Sequence, residues 1–292
     1  MRWPVFLLTL PVLAQAPLEQ RARTLIAGFQ GTVSLFARNL DTGRSFGLGE
    51  NERVRTASTI KLPIMTAVFA AVAEGSAKWT DELVLREADR VSGSGVVREM
   101  SAGARLPLRD LVHLMIVVSD NTATNLLLDR FPADTVNERM DRLGLTATRC
   151  LRKILAGNNA DPSGVSRAGR LPGNQRFGLG VSTPREMVML LEKLERGEVV
   201  SREASQEMLA ILKRQQYRDG IARKLGDLPV ASKSGALDRL RSDVGIVYAP
   251  GGRIALAITC DDMPRTDYTP DNPGNLLIAG LTQLLIEGLS KP

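Results

Sequence analysis

Within residues 31–39 apolar side chains fall on every second position, with Val33, Leu35 and Ala37 on one face, the period of a half-buried strand. Asp41-Thr42-Gly43 is a turn signal, and 44–48 is predicted to return as the partner strand. A helix is predicted ahead of this pair, over 18–29. Across 59–73 apolar residues cover nearly the whole helical circumference, which marks a helix buried on all sides. Residues 106–131 hold two more helical runs, broken at Ser119-Asp120-Asn121. A further helix over 187–195 has Thr183 as a natural N-cap and Pro184 at its first position. Strand character returns at 229–232, 244–249 and 253–260, the last two flanking Pro250-Gly251-Gly252 as a hairpin, and 276–288 closes the chain as a helix. Strands at both ends with helices between predict an α+β fold. One antiparallel sheet is assembled from both termini and flanked by the N- and C-terminal helices, beside an all-helical subdomain. The sheet subdomain is expected to comprise 17–57 and 225–292, the helical one 58–224. Residues 158–180, rich in Gly and Arg with little apolar pattern, are predicted to be a long surface loop.

The first residues stand outside this pattern. Arg2 precedes an apolar run from Trp3 to Leu13, followed by Ala14-Gln15-Ala16, the small-x-small form of a signal-peptidase site. The run is too short to cross a bilayer as a helix, so 1–16 is expected to be a cleaved signal peptide. The mature protein is then periplasmic or secreted, with no membrane anchor. The remaining 17–292 is expected to be one catalytic unit and a monomer.

Composition narrows the chemistry. One histidine and two scattered cysteines cannot furnish an ordinary zinc site, and neither a metal nor a cofactor is expected. The histidine, His113, lies among Leu111, Val112, Leu114 and Met115 and is expected to be a core residue. Cys150 and Cys260 are read as two free thiols, Cys260 at a strand end. A net charge of +6 invites a nucleic-acid reading, but the basic residues are dispersed and no nucleic-acid module is present. An anionic cell-wall environment suits that charge better.

With most histidine-dependent hydrolysis excluded, three short segments carry the candidate chemistry: Ser58-Thr59-Ile60-Lys61, Ser119-Asp120-Asn121 and Lys233-Ser234-Gly235. Ser58 and Lys61 lie three apart at the start of the buried helix and project from one face. A serine hydroxyl needs a base to become a nucleophile, and a lysine on an apolar helix is a candidate because desolvation disfavours its ammonium. The Ser58 N–H, at a helix start, can face a developing oxyanion. The same pair also fits a serine N-cap followed by a lysine whose stem lies along apolar surface. Ser119 can relay a proton, the Asn121 amide can hold a substrate carbonyl, and Asp120 suits a turn brace. Lys233 and Ser234 can grip a carboxylate, Gly235 admits close backbone approach, and the Ala236 N–H can be a second oxyanion donor. Arg239 and Arg241 are further carboxylate candidates, equally suited to a solvated surface.

Together these segments resemble the penicillin-recognising serine acyl-enzyme family, and in particular the class A serine β-lactamases. The resemblance extends through Leu108-Arg109-Asp110-Leu111, Ser119 to Leu127 with Asn125, and Ser182-Thr183-Pro184, and so covers essentially the whole mature chain. It implies a sheet flanked by helices beside a helical subdomain, with the site between them. One departure stands out. Class A enzymes carry an omega-loop Glu-x-x-Leu-Asn segment whose glutamate activates the deacylating water. Residues 144–182 contain no glutamate here, their one acidic residue is Asp161, and the corresponding stretch reads Arg149-Cys150-Leu151-Arg152-Lys153-Ile154-Leu155.

The resemblance implies a serine hydrolase that opens a β-lactam or related cyclic or peptide amide through an acyl-enzyme on Ser58. Lys61 is the expected base and Ser119 the relay, with Asn121, Lys233, Ser234, Gly235 and Ala236 on the substrate. Deacylation is expected to be slow. Two other readings remain open: a cell-wall peptidase that β-lactams inhibit, and a penicillin-binding or sensor protein that acylates once.

Overall fold

A computed structural model of the chain describes residues 17–154 and 164–290; the expected signal peptide at 1–16, the first part of the expected long loop, Leu155 and Asp161 lie outside the described residues. Helix α1 (Leu18–Ile26) leads into β1 (Thr32–Asn39) and β2 (Ser45–Leu48), and the two-residue strand β3 (Val54–Arg55) precedes a 3₁₀ turn at Ala57–Ile60 that runs into α2 (Lys61–Ala73). Short strands β4 (Glu82–Val84) and β5 (Arg105–Pro107) pair with each other, and α3 (Leu108–Val117), α4 (Asn121–Arg130) and α5 (Ala133–Arg142) follow. After β6 (Arg149–Cys150) and β7 (Gly180–Ser182) come α6 (Pro184–Arg196) and α7 (Arg202–Leu212). The last elements are β8 (Val230–Leu237), β9 (Leu240–Ala249), β10 (Gly252–Asp261) and α8 (Pro273–Leu289).

The main sheet is antiparallel throughout, in the order β2-β1-β10-β9-β8, so the N-terminal strands close against the C-terminal ones as the pattern implied. Alternation along β10 explains why both of its faces are dry. Ile254, Leu256, Ile258 and Cys260 pack with Leu35, Ala37 and Val247 against α1 and α8, while Ala255 and Ala257 face Phe36, Ile246 and the helices around α2. The small residues on that second face let α6 sit close to the strands. Of α2, Lys61 to Ala71 are all buried, as expected of a helix without a polar face.

Four readings change. Strand β8 continues past Ser232 to Leu237, so Lys233-Ser234-Gly235 lies within the sheet's edge strand and not beyond its end. His113 is half-exposed on α3, its Nδ1 2.9 Å from Arg109 O one turn back, and is not a core residue. The described part of the expected surface loop is partly built in: two 3₁₀ turns (Ala168–Arg170 and Pro172–Phe177) and β7 bury Phe177 and Val181 against Leu151. Helices α5 and α7 went unread in the sequence. Cys150 and Cys260 are both buried free thiols, as expected.

Helix α5 has a positional task. Its Asn137 donates to Cys150 O at 2.9 Å and accepts from Cys150 N at 2.7 Å, pinning both peptide groups of β6 from a buried side chain. Asn137→Ala would strand a buried N–H and C=O, each costing roughly 1–3 kcal/mol. Urea unfolding should show a loss of about 2–4 kcal/mol, whereas Thr135→Ala, at an exposed position of α5, should lose almost nothing.

Candidate active site

Three segments meet at one cavity of about 570 Å³. It is lined by Ser58, by Ser119 and Asn121, and by Ser234, Gly235 and Ala236. Two of the three entrances are built on unusual backbone. Ala57, just before Ser58, has φ +48°, and Ser119 has φ +54°, a left-handed region that costs non-glycine residues energy. Both are held from several sides. Thr56 N donates to Gly180 O at 3.1 Å, and the Thr59 N–H and hydroxyl both return to Thr56 O. That closes the turn that presents Ser58, half-buried, at the foot of α2.

Ser119 is held by the cap of the next helix. Asp120 is the N-cap of α4: its Oδ1 accepts from Ala123 N at 2.8 Å, and its Oδ2 accepts from Val96 N and Val97 N at 2.6 and 2.8 Å. It is thus a brace, as expected, and also a staple for the 91–97 loop. A side chain at Gly95 would collide with this carboxylate, and Gly95 takes φ +106° to pass it. Asn121 completes the staple, its Nδ2 donating to Ser92 O at 2.9 Å and its N–H to Ser94 O at 3.0 Å.

Lys61 ties these pieces together. It is fully buried, and its Nζ donates to Ser119 O at 2.6 Å, Asn121 Oδ1 at 2.9 Å and Ser119 Oγ at 3.1 Å. An ammonium has three donors, and each finds an acceptor. Burial, with the positive charge of Lys233 adding to it and Asp120 opposing, holds this ammonium well below the ordinary lysine range. Lys233 is equally buried; its Nζ donates to Ser234 O at 2.6 Å, and burial brings it down to about 7 against the opposing effect of Asp243.

Gly235 has a reason other than the approach of substrate. A Cβ there would stand 2.8 Å from Thr56 O and 3.0 Å from Ser58 N, so the missing side chain lets β8 lie directly against the serine turn. Arg239 and Arg241, open between a carboxylate and a surface role, both bond backbone carbonyls, Arg239 from an exposed position. The Arg239 Nε donates to Met263 O and its Nη2 to Asp262 O; Arg241 donates to the carbonyls of Leu237, Leu240 and Asp267. Both strap the segment after β10 to the β8–β9 turn. Arg241 does line the cavity, beneath the exposed ring of Tyr268, but its terminal nitrogens are already engaged.

The omega-region segment reaches the site through Asn125, one turn into α4. Its Nδ2 donates to Ile154 O at 2.8 Å and its Oδ1 accepts from Ile154 N at 2.9 Å, repeating the Asn137 clamp four residues farther along. Lys153 turns out to Asp129 at 2.6 Å, and Arg149 bonds Asp141. The side chain held next to α4 is therefore aliphatic. Among the cavity residues that sequence reading missed are Tyr217, Asp219 and Asp243. For Asp243 the signal was an acid directly ahead of the apolar run 244–249.

Gly235→Ala tests the close approach. Thr56 O and Ser58 N are backbone atoms that cannot swing aside, so overpacking should cost about 1–3 kcal/mol in a denaturation experiment, while Ala236→Ser, on the exposed neighbour, should change stability little.

Comparison with known proteins agrees with this geometry. The beta-lactamase enzyme family profile matches residues 17–289. Beta-lactamase L2 of Stenotrophomonas maltophilia is 30% identical over 214 residues, 70% of this chain and 62% of that protein. The beta-lactamase regulatory protein BlaB of Streptomyces cacaoi is 26% identical over 273 residues, 82% of this chain and 87% of that protein. Among solved structures, a beta-lactamase from Sphaerobacter thermophilus superposes with a TM-score of 0.80 at 32% identity, covering 94% of this chain and 98% of the other. PBP-A superposes at 0.76 with 27% identity, covering 92% and 94%. A chain matched over nearly its whole length, with a serine, two buried lysines and a shared cavity, belongs to the beta-lactamase enzyme family as a serine β-lactamase-like hydrolase.

Proposed function

We propose that the protein is a class A-type serine hydrolase that acylates rapidly on Ser58 and deacylates slowly. The observation that carries this is the buried Lys61, hydrogen-bonded to Ser119 and Asn121 beside a serine on a distorted turn. A lysine whose ammonium is disfavoured by burial reaches the neutral form at far lower pH than one in water, and only that form has a lone pair for the Ser58 proton. The proton then passes through the Ser119 hydroxyl to the leaving nitrogen of the opened amide. The N–H groups of Ser58 and Ala236 receive the oxyanion. Asn121 orients the acyl-side amide, and Lys233 with Ser234 holds the substrate carboxylate. We further propose that 1–16 directs export, so that the substrate is met outside the cytoplasm, and that the enzyme acts as a monomer.

Slow deacylation follows from what is clamped near α4. Releasing the ester needs a water that gives up a proton, and the residue that Asn125 holds is Ile154, which cannot take one. The same feature supports a second reading, a penicillin-binding or peptidase role in which β-lactams act as inhibitors. Similarity to PBP-A, a variant of which has been captured as an acyl-enzyme with penicillin G, points the same way. A chromogenic cephalosporin decides between them. A burst of one equivalent with a slow following slope fits a weak lactamase, a burst with no slope fits the acylating binder, and fast turnover without a burst contradicts both.

Ser58→Ala should abolish the covalent mass that a β-lactam adds to the intact protein, and labelling that persists would place the nucleophile elsewhere. Lys61→Ala should slow acylation by about 10²–10⁴-fold, the usual contribution of a positioned acid–base group; a loss below about tenfold would mark a bystander. Ile154→Glu should raise the steady-state slope without changing the burst, since Asn125 grips only the backbone of that residue.

Rate should also depend on pH in a signed way. Neutral Lys61 is required, so acylation rises with pH on the acid side. Lys233 must be charged to grip a carboxylate, so the apparent affinity for carboxylated substrates should fall as pH climbs through about 7. A KM that stays flat from pH 6 to 8 would contradict this division.

A further inference from the structure

The part of the cavity next to Ser234 is acidic in a chain that is basic. The protein has a net charge of +6, yet the charged residues that line the cavity are Asp219, Asp243 and Arg241. Arg241 is already spent, its Nη1 on Leu237 O and Leu240 O and its Nη2 on Asp267 O. The two carboxylates are not. Asp219 is half-buried, and its side chain meets neither a hydrogen-bond donor nor a cation among the described residues. Asp243 lies in β9 directly opposite Ser234 of β8, so the two share a face of the sheet, and it is 2% exposed. Its Oδ2 accepts from Ile221 N at 2.9 Å, while Oδ1 has no partner among the described residues, a rare condition for a buried carboxylate oxygen.

The segment that carries Asp219 is fixed at both ends. The buried Gln215 donates from Nε2 to Ile116 O at 2.9 Å and accepts from Tyr217 N at 3.0 Å, and Gln216 N donates to Val117 O at 3.0 Å. These bonds tie the segment to the end of α3. At its other end Ile221 N bonds Asp243, and Gly220 packs so tightly that a Cβ there would stand 2.5 Å from Asp243 Oδ2. Tyr217 and Asp219, two residues apart, therefore line the cavity from a preformed wall. Tyr217 is 41% exposed, and neither its ring nor its hydroxyl has a partner among the described residues. An aromatic ring near an unpaired carboxylate is a setting that attracts an organic cation. Among the described residues no group of three or more ligands suited to a metal ion is found, which turns the reading away from an inorganic one. Burial pushes the Asp243 carboxyl up to about 7, with the Ile221 N–H and Lys233 opposing and Asp219 adding to the rise, so a cation on this wall favours both acids.

We propose that Asp219 and Tyr217 form a subsite for a positively charged substituent on the leaving-group side of the substrate, so that the site favours amides whose departing half carries an ammonium or pyridinium group. The side follows from the roles assigned above. Ser234 meets the carboxylate attached beside the leaving nitrogen, Asp243 adjoins Ser234, and the Asp219 wall packs on Asp243, whereas the acyl side belongs to Asn121 and the 91–97 loop. Asp219 meets the cation directly, and Asp243 adds negative charge from beneath the wall. No bond is made or broken at the subsite. The inference rests on the Ser58 acyl-enzyme reading.

The test uses two cephalosporins that share an acyl side chain and a ring carboxylate, so the carboxylate grip cancels between them. Cephaloridine carries a pyridinium on the leaving-group side and cephalothin a neutral acetoxy group. Acylation is followed by intact mass at neutral pH, and the readout is the ratio of second-order rate constants, cationic over neutral substituent. The intrinsic reactivities of the two compounds drop out when this ratio is compared between proteins. Asp219→Asn should lower it about three- to tenfold and Tyr217→Leu about two- to fivefold, the range of a half-buried ion pair and of a ring–cation contact. Asp219→Glu, which keeps the charge, should restore most of the ratio. A label on Ser58 with an unchanged ratio in Asp219→Asn would overturn the subsite alone, while no label on the unmodified protein from either compound would overturn the acyl-enzyme reading itself. Should the Asn variant fail to fold, sodium chloride tests the same pairing in the unmodified protein. Salt screens the Asp219 pair, so the ratio should fall as salt rises. Screening of the chain's overall positive charge acts in the opposite sense, because it slows the anionic acetoxy compound more than the zwitterion, so a ratio that rises or stays flat would overturn the proposal.

Discussion

Burying Lys61 is the constraint around which the rest of the site is arranged. An ammonium removed from water is costly unless every donor is met, and here the acceptors come from a segment nearly sixty residues away: the carbonyl and hydroxyl of Ser119 and the amide of Asn121. To offer carbonyl and hydroxyl to one nitrogen, Ser119 adopts a left-handed backbone, which only the Asp120 cap and the 91–97 staple make tolerable. Helix α4 must therefore start where it does, and its start in turn fixes Asn125 and the omega-region segment. A single desolvated amine thus sets the position of two helices, a loop and a clamp.

The sheet supplies the other half. Strand β8 is an edge strand, and its outer side meets the serine turn instead of solvent, with glycine at the contact. This places Lys233 on the inner face toward α2, and Ser234 with Asp243 on the opposite face. The positive charge of Lys233 then adds to burial in holding Lys61 low.

Much of this was legible in the sequence, for identifiable reasons. Strand β1 alternates because one face meets α1 and α8, β10 reads as an apolar run because both of its faces are buried, and α2 shows no polar face because it lies inside the molecule. Helix α5 escaped notice because Ala133, Val136 and Met140 are its only buried apolar residues, too few for a stripe. Helix α7 carried a readable cap in Ser201, whose side chain accepts from Ala204 N, and a run of Met208, Leu209, Ile211 and Leu212. The strand expected over 229–232 was read too short because an edge strand lining a cavity, buried on both sides from Val230 to Lys233, does not alternate. The three motifs announced the residues of the site but not what holds them: no spacing rule says that Gly235 accommodates Thr56, that Arg241 spends itself on carbonyls, or that Ile221 N donates to Asp243.

The clamp at residue 154 has a consequence for how such a site changes over time. Asn125 reads only a peptide N–H and a peptide C=O, and Asn137 does the same at Cys150. Neither asparagine senses the side chain it displays, so the scaffold is indifferent to whether that position carries an aliphatic group or an acid. Selection can then exchange a long-lived covalent complex for turnover, or turnover for a trap, by one substitution at a site whose fold is already in place.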